Sequence, residues 1–218
     1  MSDSNHNLTP LLLSTAYCAP AAYFSLIAKS ENQEVRIEQM ETYPKQTWRN
    51  RCTILTSQGT LDLTIPVKKP FGNHTKTHEI EIDNENQWYL NHWKALTAAY
   101  NASPFFMYYQ DELEPFYKGN YTNLIDFNIQ LTTILLKILR IEIKTSLTTD
   151  FKILDTEKDL RYQLTPKKTI NESKFPSYIQ VFSENGQFYP NLSILDILFN
   201  LGPESTGYLK SIKDLDLS

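Results

Sequence analysis

A chain of 218 residues with a net charge of -4 and 41% hydrophobic residues has the size of one domain, or of one domain with an appended element. Its acidic balance disfavours bulk nucleic-acid binding, which calls for a basic surface. Cys18 and Cys52 are its only cysteines, which excludes a disulfide scaffold and suits reduced thiols in a cytoplasmic protein.

Residues 1–9 are polar and read as a disordered N-terminus. Leu11-Leu12-Leu13 is too short an apolar run for an export signal, and no Lys or Arg precedes it. Tyr17 is bulky where a lipoprotein cleavage site needs a small residue. No run approaches the ~20 apolar residues that span a membrane. Residues 10–15 read as a short buried strand. Pro20 then opens a helix with Tyr23, Leu26 and Ile27 at helical spacing. The loop between them carries Tyr17 and Cys18. In open α/β sheets such a loop lies at the carboxyl end of a strand, where ligands often sit.

Residues 34–39 alternate as a second strand. Residues 51–57 and 60–67 alternate around Gln58-Gly59 and predict a hairpin, with Cys52 and Ile54 sharing one face, and Leu61, Leu63 and Ile65 another. Residues 78–83 form a further short strand, after a long connection (68–77) rich in lysine. From Trp88 the period turns helical, with Tyr89, Trp93, Leu96 and Tyr100 on one face and an end near Ser103-Pro104. Phe105 to Leu113 is aromatic, then acidic, and Pro115 breaks it. Thr122 or Asn123 caps a helix reaching Arg140, with Leu124, Phe127, Leu131, Leu135 and Ile138 as its core stripe. Residues 143–149 return as a strand, and 150–190 carry little signal. Ser193 caps a last helix, stapled by Leu192 and Ile197 and stopped by Gly202-Pro203. The expected fold is α/β: a single domain over 10–205, a mixed β-sheet with a β-hairpin and packed helices, and a tail from 206 to 218. The hairpin is expected to extend the sheet and to present Lys45–Arg51 toward a cleft.

That segment joins a point charge, a planar fork and stacking faces. If the strand extends backward, Arg49 and Arg51 project to one face about 7 Å apart and can grip an anion, with Trp48, Asn50 and Cys52 on the other. The alternative is a solvated edge paired with glutamates. Lys68 and Lys69 follow a strand end, facing either a ligand or solvent. His74 and His78 are four apart but lack companion ligands, so no metal site is expected. His92 is a candidate general base, against the plainer reading of a hydrogen-bonded histidine at the core edge. Asp126 suits the start of a helix, and Asn128 a buried polar contact. There is no P-loop, GxGxxG, GxSxG or CxxC pair, so an ATPase, a Rossmann dehydrogenase and an α/β-hydrolase are disfavoured and no cofactor is expected.

Six segments carry a family resemblance: TAYCAPAAYFSLI from Thr15, YPKQTWRNRCTI from Tyr43, LDLTIPVKK from Leu61, WYLNHWKALTAAYNASPFFMYY from Trp88, LIDFN from Leu124 and SILDILFNLGPES from Ser193. In this order they resemble the WbqC-like family of bacterial proteins, in its short, Bacteroidetes-type form. The resemblance implies a cytoplasmic protein of surface-polysaccharide (O-antigen) biosynthesis. It implies a glycine or aminoacyl transferase acting on an amino-sugar precursor; the alternative is a non-catalytic sugar-nucleotide-binding or assembly protein of the same pathway. The family's motif positions fall on Tyr43, Lys45, Trp48, Arg49, Asn50, Arg51, Pro66, Lys68, His92 and Asp126. On the transferase reading Arg49, Arg51 and Lys68 hold a phosphate or carboxylate, and Trp48 or Tyr43 stacks on a base or sugar. His92 takes the proton of the attacking amine, and Tyr17 joins from the first loop. The expected partner is an anionic small molecule of the nucleotide-sugar kind, with no nucleic acid and no membrane span. Many members carry a Gln-Pro pair and a Gly in the first loop, where this chain has Thr15-Ala16-Tyr17 and Pro20-Ala21-Ala22-Tyr23. The 150–190 region is also reduced relative to longer members.

Overall fold

The computed structural model describes residues 9–30, 33–45, 47–153, 157–168, 170–183 and 186–217. Strand β1 (Leu11–Ser14) is buried at all four positions. A strand without alternation belongs inside a sheet covered on both faces. It lies between β2 (Glu34–Glu38) and β8 (Lys158–Asp159), with β7 (Lys144–Leu147) outside β2, and all three pairings are parallel. The chain thus winds outward from β1 through β2 to β7, then returns to the far side of β1. The winding reverses between β1 and β8, and in such sheets that switch point is where a crevice opens.

Helix α1 (Ala21–Lys29) crosses from β1 to β2 and is buried at seven of its nine positions. Pro20 presets its entry, and the Tyr23 hydroxyl ties it back to the Ser14 carbonyl at 2.9 Å. The first free N–H groups of a helix need partners. Here the far end of the chain supplies them: Ala21 N–H donates to the Leu192 carbonyl and Ala22 N–H to Asn191 Oδ1, both at 2.9 Å.

The hairpin forms as expected from β3 (Arg51–Thr56) and β4 (Gly59–Thr64), with Gly59 at φ +101° after the two-residue turn. It does not extend the parallel sheet. Among the described residues its strands pair only with each other, and the Thr53 carbonyl accepts from Ser193 N–H at 2.9 Å. Cys52, Ile54, Leu63 and Ile65 are buried, while Leu61 near the turn is exposed. The strand also does not run back past Arg51. Residues 47–50 turn instead, so Arg49 and Arg51 do not share a strand face.

A second antiparallel pair, β5 (Val67–Lys68) and β6 (Glu81–Ile82), is shorter than the strand expected at 78–83. A 3-10 turn at Thr77–Glu79 takes the first half, because Thr77 and His78 donate their N–H groups to the Glu41 and Gln39 carbonyls. Helices α2 (Trp88–Tyr100), α3 (Phe106–Leu113) and α4 (Leu124–Ile138) follow. Asn123 caps α4, its Oδ1 accepting from Ile125 N–H at 3.0 Å and Asp126 N–H at 3.2 Å. Leu124, Phe127, Leu131 and Leu135 form its buried stripe. The helix stops short of Arg140, which sits at φ +54°.

Ser193 caps α5 (Ile194–Leu201), and Leu192 and Ile197 are buried together as the staple requires. Gly202 ends it, but the chain does not then become a tail. Helix α6 (Ser205–Ser211) folds back on α1, burying Leu209 and accepting Ser25 Oγ on the Leu209 carbonyl at 2.8 Å. The α/β class and single domain therefore stand, with the strands divided between one parallel sheet and two antiparallel pairs. The expected N-terminal disorder, Thr9 excepted, falls outside the described residues.

Candidate anion site at the carboxyl end of the parallel sheet

The carboxyl ends of β2, β1 and β8 bring together residues far apart in sequence. Glu38, at the end of β2, is fully buried. It accepts from Arg161 Nη1 at 2.7 Å, Thr148 Oγ1 at 3.0 Å and Met40 N–H at 2.6 Å. Arg161 also grips Asp159 with two parallel bonds, Nε to Oδ1 at 3.0 Å and Nη2 to Oδ2 at 2.9 Å. Burial alone would raise the Asp159 pKa, but the bonds and charge from Arg161 outweigh it and hold the carboxyl below its usual range.

A second buried pair lies beside the first. Arg49 Nε donates to Glu41 Oε1 at 2.7 Å, and Tyr162 OH donates to Glu41 Oε2 at 3.0 Å. Arg49 Nη2 sits 2.7 Å from the same Glu41 oxygen but makes no hydrogen bond with it or with any other described residue. The neighbouring Tyr43 hydroxyl is buried and also lacks a partner. Buried polar atoms are normally paired, so such orphans call for an explanation. Above Tyr43 lies Lys69, its Nζ 4.9 Å from the ring centroid. Burial, and then the charge of Lys45, lower the Lys69 pKa, so the two lysines are electrostatic neighbours. From solvent inward the order is Lys45 and Lys69, then Tyr43, then Arg49.

Asn128 ties this arrangement to the core as the sequence anticipates. Its Nδ2 donates to the Arg49 carbonyl at 2.8 Å and to Thr15 Oγ1 at 3.2 Å. The other anticipated residues scatter. Asn50 Nδ2 donates to the Ile65 carbonyl at 2.8 Å. Arg51 lies on the outer face of the hairpin with Thr64 and Asp62. Lys68 pairs with Glu85 at 2.7 Å and Asp83 at 3.4 Å. Asp126 is exposed in the first turn of α4. Trp48 is half-buried and walls a cavity on the other side of the same turn.

Tyr17 and His92 meet each other instead. Tyr17 OH lies 2.9 Å from His92 Nδ1 and 3.1 Å from Tyr117 OH, and Tyr17 is fully buried. Its N–H donates to the Trp48 carbonyl at 2.8 Å. His92 is 6% exposed and packs edge-on against Trp88 with 5.0 Å between ring centroids. Burial lowers its pKa to about 4, against a smaller opposing effect of a hydrogen bond to the Thr64 backbone. It is therefore neutral at pH 7. In the unfolded chain a histidine titrates near 6.5. As pH falls from about 6.5 to about 4, the unfolded state binds a proton that the folded state refuses, and stability falls. The loss is roughly 3 kcal/mol across that window. Denaturation of the wild type and of His92→Gln between pH 7 and 4 checks this: the variant's stability should depend on pH less steeply by about one proton. Equal slopes would mean that His92 is accessible to protons in the folded state.

Glu41, Arg161 and Tyr162 carry no sequence signal, since they lie in connections without periodicity. Lys69, which the sequence leaves open between a ligand and solvent, parts from Lys68 and lies over the Tyr43 ring, while Lys68 pairs with Glu85. Among the described residues no group of three or more His, Cys, Asp or Glu side chains is placed to hold a metal ion.

The model of the WbqC-like protein family matches residues 16–174. The chain belongs to the WbqC-like protein family. A protein of Mycobacterium tuberculosis (strain ATCC 25618 / H37Rv), named uncharacterized protein Rv1507c, is 32% identical over 225 residues, covering 91% of this chain and 96% of that protein. No solved structure matches. In this WbqC-like protein the matched region takes in both buried arginine pairs and the two lysines, while α5 and α6 lie beyond it. Among the described residues no helix of this WbqC-like protein is long and apolar enough to cross a membrane.

Proposed function

We propose that this WbqC-like protein binds an anionic small molecule of the nucleotide-sugar kind through Lys45, Lys69, Tyr43 and Arg49. On this reading it serves cytoplasmic surface-polysaccharide biosynthesis as a glycine or aminoacyl transferase to an amino-sugar precursor. One observation carries the binding site: neither lysine makes an ion pair among the described residues, and the buried Tyr43 hydroxyl beneath them has no hydrogen-bond partner there. An incoming phosphate or carboxylate pairs with the two lysines, while Arg49, held by Glu41, supports the site from beneath. In the transfer step the acceptor amine attacks the acyl carbon, the leaving group departs, and the amine proton passes to it. Lys69, with its lowered pKa, is the group of the patch suited to carry that proton. His92 keeps its Nδ1 on Tyr17 and acts as a positioning residue: through Tyr17 it holds the Trp48 turn.

Calorimetric titration with a panel of nucleotide-sugars tests the binding half. Lys69→Ala and Lys45→Ala should each weaken binding by about tenfold and flatten its salt dependence. Lys144→Ala, at the far edge of the sheet, should change neither. Unaltered affinity in both patch variants would remove the site. The burial of Tyr17 and His92 favours a second reading, in which the protein binds a sugar nucleotide without turnover. Mass spectrometry for an acylated amino sugar after incubation with donor and acceptor separates the two.

A further inference from the structure

On the other side of the 47–50 turn lies a cavity of about 330 Å³ between the outer face of the hairpin and residues of 164–168, 170–175 and 189–192. It falls within the size range of small-molecule sites. Trp48, Phe175 and Tyr189 give it aromatic walls, and Thr60, Glu172 and Asn191 bring polar groups to it. We infer that this cavity is a binding site for a neutral, hydroxyl-bearing ring, a pyranose sugar, distinct from the cationic patch.

The lining speaks for that chemistry and against an anion. The N-terminus of α1 opens toward the cavity at Pro20, but its first N–H groups are already taken by the Leu192 carbonyl and by Asn191 Oδ1. It therefore has no free donors for a phosphate. Lys168 is the cavity's cation, and it is bonded to Gln163. The Glu172 carboxylate would repel an anion but accepts hydroxyl groups well. Asn191 is held at φ +56° with its oxygen committed to Ala22, so its Nδ2 group is fixed and has no partner among the described residues. A half-buried indole beside a fixed amide donor and a carboxylate acceptor matches a ring with one apolar face and a rim of hydroxyls. The inference does not depend on transfer chemistry or on the lysines, and each site can fail without the other.

The test is saturation-transfer NMR and tryptophan fluorescence on the whole protein with free glucose and N-acetylglucosamine, with inorganic phosphate as the anionic comparison. A saturable sugar signal is expected. It should disappear in Trp48→Leu and weaken by about tenfold in Asn191→Asp, which keeps the oxygen that caps α1 and loses the amide donor. Glu172→Gln, at an exposed position, should weaken it too and serves if the Trp48 variant fails to fold. Lys69→Ala should leave the sugar signal intact. No saturable signal with either sugar, an unchanged signal in the variants of the cavity, or displacement of the sugar by phosphate would each overturn the assignment.

Discussion

Arg49→Ala is expected to lose about 3–5 kcal/mol of stability, because it strands a buried carboxylate. The Arg49 and Glu41 side chains are 2% and 1% exposed and lie 2.7 Å apart. Among the described residues, removing the guanidinium leaves the Glu41 carboxylate with only the Tyr162 hydroxyl as a side-chain partner. A sequence reading that puts Arg49 on a strand face beside Arg51 predicts the reverse: a folded protein with a binding defect. Urea denaturation decides between them. A variant within about 1 kcal/mol of wild type would mean that Glu41 escapes to water when its partner goes. The double variant Arg49→Met with Glu41→Leu should recover most of the loss, since exchanging both members of a buried pair for apolar groups is often neutral or better. A binding defect in Arg49→Ala alone is therefore no evidence of ligand contact, and the lysines are the better probes.

Gly202→Ala is the second large effect, at about 2–4 kcal/mol. Gly202 sits at φ +51° and ψ -119°, a region that residues with a Cβ rarely enter. A Cβ placed there would also fall 2.4 Å from the Phe105 ring. The clash reaches the root of that ring, with Cγ at 2.5 Å, and the backbone that carries it is held by the bond from Phe105 N–H to the Phe199 carbonyl at 3.0 Å. Overpacking of this kind costs about 1–3 kcal/mol, and the backbone strain adds about 1 more. Gly59→Ala is the informative contrast. Gly59 also has a positive φ, but nothing lies within 4 Å of the added carbon, so about 1 kcal/mol is expected there. Thermal or urea unfolding of the two variants should separate them clearly. Equal losses would show that the clash with Phe105 relaxes at no cost.

Elements whose signal is local were legible in the sequence. The leucine run of β1, the alternation of the hairpin and the 3.6-residue stripe of α4 each state their own burial. The caps at Asn123 and Ser193 were readable for the same reason, since a cap is a contact between near neighbours. The site was legible only in part. Motif resemblance drew attention to the 43–51 segment, but alternation misled within it, because the strand begins at Arg51 and the preceding residues turn. Arg49 therefore goes inward to Glu41, while Arg51 stays on the surface with Asp62. Nothing local marks Glu38 and Glu41 as buried, because their burial depends on arginines 123 and 8 positions away. Strand β8 has only two residues and no periodicity to betray it. Its position beside β1 creates the switch point, and no local pattern encodes that.

The way the end of the chain closes over its beginning governs how the protein can be made. The strand, loop and helix of residues 11–29 leave the ribosome before the segments they pack against, and they cannot settle until those arrive. One flank of β1 waits for residues 158–160, the start of α1 waits for 191 and 192, and its outer side waits for Leu209. Until then the apolar surface of an almost wholly buried βαβ unit faces solvent, and that exposure invites aggregation. Folding during synthesis must therefore start elsewhere, in the hairpin and the helices of the middle third, whose contacts are closer in sequence. The strand and helix of residues 11–29 are then among the last elements to find their place, and a chain released before residue 190 would leave them unsheltered.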